Sequence, residues 1–202
     1  MRLIARILLA WQLKHNVVIR FHRISTHANT IADKLSRFQS PPKPGSGEQR
    51  LSPATFHKLQ VDTGLTFTVD ACANASNSQL PRFVAREDVT DSRCIAVDVF
   101  TYIFPGATEV IYCFPPWILL APVWAHFRQQ RCVGTLVFPR QPTKPWFGIV
   151  SREARRIGVL ARQGDTSALL AAPEYTLSAG PLPWDLCFAV FDFRVPVGMP
   201  RL

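Results

Sequence analysis

The chain has little acidic charge and no long apolar run. Its 202 residues hold 14 Asp or Glu against 23 Lys or Arg, a formal net charge of +9. That balance favours polyanionic partners such as nucleic acid or an anionic membrane surface. No stretch reaches the ~18 uninterrupted apolar residues of a membrane-spanning helix. Three prolines break the run from Val110 to Val123, so no membrane partner is expected. The five cysteines (Cys72, Cys94, Cys113, Cys132, Cys187) include no Cys-x-x-Cys pair. A dispersed, odd set argues against a disulfide framework or a zinc site and fits a reducing compartment. The expected location is intracellular, nuclear or cytoplasmic, and not secreted. Met1 to Trp11 is apolar with Arg2 and Arg6, as targeting peptides are, but Arg6 splits the apolar stretch and no small-residue cleavage site follows closely. The P-loop, His-Glu-x-x-His, Gly-x-Ser-x-Gly and Cys/His metal spacings are missing as well, which leaves the enzyme classes built on them without support.

What is present is a core-forming composition, 48% hydrophobic, with 17 Pro against 10 Gly. Such a chain folds, with many stiff loops. The positive charge is uneven. Residues 1–50 carry nine Lys or Arg (Arg2, Arg6, Lys14, Arg20, Arg23, Lys34, Arg37, Lys43, Arg50) against Asp33 and Glu48, leaving +7 of the +9 in the first quarter. A solvated basic face and a phosphate-contacting one account for this equally well.

Ile4, Ile7, Leu8 and Trp11 follow helical spacing, so residues 3–14 are predicted as an amphipathic helix. Val17, Ile19 and Phe21 alternate with Val18, Arg20 and His22 as in a strand. Asn29 is placed to cap a short helix bearing Ile31, Leu35 and Phe38. Residues 39–49 contain Pro41, Pro42, Pro44, Gly45 and Gly47, the composition of a linker. The predicted organisation is therefore a piece over 1–38, a linker over 39–56 and an α/β domain over 57–202. In that domain, strands are predicted over 65–69, 94–99, 109–113, 133–138 and 186–193, with helices over 118–130 and 151–162. Alternation of this kind implies a mostly parallel, Rossmann-like sheet whose ligands bind beyond the carboxyl ends of its strands. Asp70, Asp98 and the turn Phe114-Pro115-Pro116-Trp117 all fall at such ends.

That turn carries the chemistry. Methylating an exocyclic amine of a base requires acceptors for its two hydrogens, because the nitrogen lone pair is delocalised into the ring. A polar residue followed by Pro-Pro-aromatic supplies them: a side-chain carbonyl, a backbone carbonyl fixed by the prolines, and a ring that stacks on a flipped base. A rigid turn, with Asp70 as a helix cap, is the plain alternative for the same residues.

The segments Phe67-Thr-Val-Asp-Ala-Cys-Ala73, Gln79-Leu-Pro-Arg-Phe83, Ala96-Val-Asp98, Tyr112-Cys-Phe-Pro-Pro-Trp117, Val137-Phe-Pro139 and Pro145-Trp-Phe147 occur in order. Over residues 57–150, they resemble the phage-type DNA N6-adenine methyltransferase domain, which also occurs downstream of reverse transcriptase and RNase H in DIRS-type retrotransposons. The resemblance implies a class I methyltransferase-like fold and S-adenosylmethionine as donor. It places Asp70 in the donor-binding loop, Asp98 at a second acidic position, and Pro115, Pro116 and Trp117 in the catalytic turn. Phe114 stands where the catalytic Asn or Asp belongs. A phenyl ring accepts no amide-quality hydrogen bond, so the turn is degenerate and methyl transfer is not expected.

Upstream, Asn29-Thr-Ile-Ala-Asp-Lys-Leu-Ser-Arg37 resembles the carboxyl end of retroelement RNase H domains. By that resemblance, Asp33 is the last of four carboxylates that hold two Mg2+ ions. The other three belong upstream of the segment present here, and one carboxylate cannot hold two divalent ions. Mg2+ is therefore expected only in a complete parent polyprotein. Together the two resemblances suggest the carboxyl part of a DIRS-type retroelement polyprotein, associated with nucleic acid and inactive by itself. An active S-adenosylmethionine-dependent adenine methyltransferase and a non-catalytic interaction module are the alternatives.

Overall fold

A computed structural model describes residues 48–86, 89–106, 108–172 and 175–194, together with Lys14. The chain divides into two compact units, Met1–Pro42 and Lys43–Leu202. Apart from Lys14, which is helical, the residues of the helices and strand expected over 3–38, Asp33 among them, lie outside the described residues.

The second unit is an α/β domain. In chain order it comprises β1 (Gln49–Leu51), α1 (Pro53–Thr63), β2 (Val69–Asp70), β3 (Phe83–Ala85), β4 (Cys94–Val97) and β5 (Val110–Cys113). A single 3-10 turn (Trp117–Leu119) leads into α2 (Leu120–Gln129), followed by β6 (Val133–Pro139), α3 (Pro145–Glu153), β7 (Arg156–Ala161), β8 (Leu169–Ala171) and β9 (Leu186–Asp192). The main sheet has seven strands in the order β4-β3-β2-β5-β6-β9-β7. The five from β4 to β6 are mutually parallel. β9 runs antiparallel to both β6 and β7, so β7 points the same way as the first five. The expected mostly parallel, Rossmann-like sheet is thus present, with one reversed strand. β1 and β8 form a separate antiparallel ribbon.

The two faces of the sheet separate by the period of two that strands impose. On β5, Ile111 and Cys113 join one core cluster, with Leu120, Val123, Trp124 and Phe127 of α2 and Val150 of α3. Tyr112 joins the other, with Leu59 of α1 and Leu51 and Leu169 of the ribbon. All seven residues of β6 are buried, as an interior strand covered on both faces requires. The buried residues of α2 recur at i, i+3, i+4 and i+7, which turns one stripe to the sheet. α2 and α3 are tied at their ends. The Trp124 indole N–H donates to Glu153 at 2.9 Å, and Arg128 pairs with the same carboxylate at 2.8 Å.

Three expectations need correction. A helix was predicted over 151–162, but α3 ends at Glu153 and Arg156–Ala161 is the edge strand β7. Pairing with β9 overrides the local helical preference of Arg152-Glu-Ala-Arg-Arg156. Gly158 has a structural role there: a Cβ on it would stand 2.5 Å from the Phe188 ring packed against it. The strand predicted over 65–69 is only Val69–Asp70. The stretch 39–56 was predicted as linker, yet Gln49–Leu51 forms β1 and α1 begins at Pro53. α1 is delimited by local signals: Ser52 as N-cap accepting from the Thr55 N–H, Pro53 in the first turn, and Gly64 at φ 67 as C-cap.

Candidate functional site: a cleft at the carboxyl ends of the parallel strands

The carboxyl ends of β2, β3, β4 and β5 open into one cleft of about 470 Å³. Its walls are the residues that follow each strand: Ala71 to Asn74 and Asn77 after β2, Val84 to Arg86 from the end of β3, Asp98 to Phe100 after β4, and Phe114, Pro116, Trp117 and Leu119 after β5. Glu48 and Gln49 of the ribbon close it from one side. This is where open parallel sheets bind ligands, and the volume suits a nucleotide-sized molecule.

The loop after β2 is built around a buried carboxyl. Asp70 is 2% exposed and accepts the Gln79 N–H at 3.0 Å and a backbone bond from Cys72. It therefore folds the segment 71–79 back over the strand end and does not itself line the cleft. Burial, only partly offset by those two backbone bonds, raises its pKa from 3.8 to about 7. Asn74 and Asn77 fix the loop tip. The Asn74 side-chain oxygen accepts the N–H groups of Ser76 and Asn77, both at 2.9 Å, and the Asn77 oxygen accepts the Asn74 N–H at 2.7 Å. The Asn74 amide also donates to Glu48, which accepts the Tyr175 hydroxyl at 3.3 Å. The ribbon is thereby anchored to the cleft wall.

Asp98 does line the cleft. It has φ 66, a left-handed conformation that Asp tolerates better than most residues. Its N–H donates to the Ala85 carbonyl at 2.7 Å and its carboxylate accepts the Phe100 N–H at 3.0 Å, which fixes the turn after β4.

The Phe114–Trp117 turn forms the remaining wall. Phe114 is half-buried and packs against the core beneath the sheet, while Pro115 is buried and Pro116 exposed. The Pro116 carbonyl accepts the Leu119 N–H at 2.8 Å and so starts the turn into α2. Trp117 is 43% exposed and meets Trp184 edge-on, ring centres 4.7 Å apart. Beneath the turn, Tyr112 and Cys113 are buried, and burial holds both side chains well above their ordinary pKa values. Both are neutral at physiological pH.

No family model matches the chain, and no curated protein matches it.

The structure thus brings Asp98, Phe114, Pro116 and Trp117 to one cleft, with Asp70 and Pro115 behind its walls. Sequence reasoning missed Glu48, Asn74, Asn77, Arg86 and the Cys72–Cys113 contact. The Asn74/Asn77 spacing is a recognisable turn signal. Glu48 carried none, because the β1–β8 pairing that places it joins segments about 120 residues apart. The polar lining holds two carboxylates (Glu48, Asp98), three amides (Gln49, Asn74, Asn77) and Arg86, and no histidine or lysine is among the lining residues. Such a lining suits binding of a hydroxyl-bearing or cationic ligand and offers no imidazole or amine base. Among the described residues, no three His, Cys, Asp or Glu side chains gather as a metal site, and no helix is long and apolar enough to cross a membrane.

Proposed function

We propose that the chain is the carboxyl part of a DIRS-type retroelement polyprotein, in which the end of an RNase H domain precedes a DNA adenine methyltransferase-like domain that binds its donor but no longer transfers methyl groups. The observation that supports the methyltransferase-like part of this reading is the cleft itself. It is formed by the strand ends that bear Asp98 and the Pro-Pro-Trp turn, with Phe114 in its wall. The strand order, five parallel strands extended by a reversed β9 and then β7, is compatible with a class I methyltransferase-like sheet.

The lining fits S-adenosylmethionine, an adenosine joined to a sulfonium and an ammonium. Val84, Ala85, Val99 and Phe100 offer apolar wall for a base, and the Asp98 carboxylate offers an acceptor for hydroxyl and amino groups. Glu48 supplies negative charge toward a cation. When bound, the donor supplies an electrophilic methyl group. On the protein side, Trp117 beside Trp184 presents aromatic surface on which a base stacks, and the basic chain favours a nucleic-acid partner. What is missing is an acceptor at position 114. Losing one acceptor or donor aimed at a transition state commonly lowers kcat ~10²–10³-fold.

The test is transfer of radiolabelled methyl from S-adenosylmethionine into single-stranded, adenine-containing DNA. The wild-type chain is expected at background. Phe114→Asn is expected to rise measurably above it, by up to ~10²-fold. Robust transfer by the wild type would contradict the reading and favour an active enzyme with an unusual turn.

A further inference from the structure

Two of the five cysteines meet in the cleft wall. The Cys113 thiol donates to the Cys72 sulfur at 3.5 Å. Cys72 stands at the start of the loop after β2 and Cys113 is the last residue of β5, immediately before Phe114. The two strands are hydrogen-bonded neighbours, held just below the pair by the Ala71 N–H donating to the Tyr112 carbonyl at 2.9 Å. Both sulfurs face the same side of the sheet, Cys113 within its core cluster and Cys72 packed against it. Access differs. Cys72 is half-buried and lines the cleft, whereas Cys113 is fully buried.

We propose that Cys72 and Cys113 form a dithiol modification site, oxidised to a reversible disulfide by a hydroperoxide that enters through the cleft. The Cys72 sulfur attacks one peroxide oxygen as its thiol proton is released; an S–O bond forms, the O–O bond breaks, and the departing oxygen takes up that proton, leaving as water from hydrogen peroxide or as an alcohol from an organic hydroperoxide. The Cys113 sulfur then attacks the Cys72 sulfur; an S–S bond forms, the S–O bond breaks, and hydroxide leaves with the Cys113 proton as a second water. The two thiols lose two electrons and the peroxide gains them. The order follows from access: Cys72 lines the cleft, whereas Cys113 is fully buried and burial favours its protonated thiol.

Closing the bond brings the sulfurs from contact to about 2.05 Å. The adjacent backbones are already paired, so small side-chain rotations supply most of that approach. The disulfide would link the loop wall to the strand that delivers the Phe114–Trp117 turn, and so act on both sides of the cleft. Reduction by a small dithiol would restore the open pair.

The test uses the full chain and reads chemistry, not ligand binding, so its outcome is independent of the donor-binding reading. Folded protein is treated with a few equivalents of hydrogen peroxide, and the remaining thiols are counted after unfolding in an alkylating reagent. Five alkylated cysteines are expected to fall to three, with a mass loss of about 2 Da before alkylation and recovery of all five after dithiothreitol. Cys72→Ala is expected to keep all four of its thiols under the same treatment. This cleft-facing change carries the control, since Cys113→Ala alters the buried core. Retention of five thiols by wild type, loss of two thiols by Cys72→Ala, or over-oxidation of Cys72 without a disulfide would each overturn the proposal.

Discussion

Gly134→Ala is expected to abolish the cooperative fold of the domain. Gly134 lies in β6, an interior strand, paired with Ile111 on β5 and with Phe191 on β9. A Cβ at this position would stand 2.1 Å from the Ile111 carbonyl oxygen and 2.8 Å from its carbonyl carbon. These are backbone atoms of a neighbouring strand, so no rotamer change relieves the clash. The only relief is separation of β5 from β6, which would expose buried ladder bonds and displace the turn that β5 delivers to the cleft. Ordinary overpacking costs about 1–3 kcal/mol. A clash with backbone inside a sheet costs more, against a total stability of about 5–15 kcal/mol. Gly148→Ala is the control. It sits in α3 with nothing within 4 Å of the added carbon, and is expected to gain about 0.5–1 kcal/mol from helix propensity. Urea unfolding followed by circular dichroism distinguishes the two. A Gly134→Ala chain that unfolds cooperatively near the wild-type midpoint would contradict the β5–β6 pairing.

The second large effect concerns pH. Asp70 has a folded pKa raised from 3.8 to about 7, chiefly by burial. A carboxyl that is harder to ionise in the folded state holds its proton there while the unfolded chain has already released it. The folded state is therefore favoured at low pH, and this contribution is lost as pH rises from about 4 to about 7; above that it changes no further. Between pH 5 and pH 8, the loss from this one group is on the order of 3 kcal/mol. Asp70→Asn keeps the side-chain shape and does not titrate. All other groups are common to the two proteins, so the difference between them isolates Asp70. Unfolding free energies measured at pH 5, 6, 7 and 8 should fall more steeply for wild type than for Asp70→Asn. Parallel profiles, or a wild type that gains stability across this range relative to the variant, would contradict the buried placement of Asp70. The same carboxyl holds the loop over 71–79, so a change in its charge acts on the cleft wall without touching a ligand.

Much of this domain was legible in the sequence, for physical reasons that differ by element. β5, β6 and β9 read correctly because buried strands of a parallel core are short apolar runs bounded by turn residues, and all three are. α2 read correctly because Leu120, Val123, Trp124 and Phe127 keep helical spacing after the Pro-Pro pair. β7 did not, because Ser151-Arg-Glu-Ala-Arg-Arg156 looks helical and only the distant β9 makes the next residues a strand. β1, β3 and β8 have three residues each, too few to show a period. α1 was missed although Ser52, Pro53 and Gly64 punctuate it, because only Thr55 and Leu59 of its residues are buried and its apolar stripe is faint. Asp98 and the Phe114–Trp117 turn follow strands that show in the sequence as apolar runs, so their place at the strand ends was legible. The inward burial of Asp70, the approach of Glu48 and the Cys72–Cys113 contact depend on pairing between remote segments, which no local pattern records.

The functional reading stands or falls on whether the cleft still holds a methyl donor. Calorimetric titration of the full chain with S-adenosylmethionine decides this, alongside Asp98→Ala, which removes a cleft-lining carboxylate that accepts the neighbouring Phe100 N–H. Saturable one-to-one binding is expected for wild type, weakened about 10-fold or more in Asp98→Ala, as loss of a charge-assisted hydrogen bond of ~1.5–3 kcal/mol implies. A folded wild-type chain that gives no heat and no saturation, or binding that Asp98→Ala leaves unchanged, would contradict donor binding in this cleft.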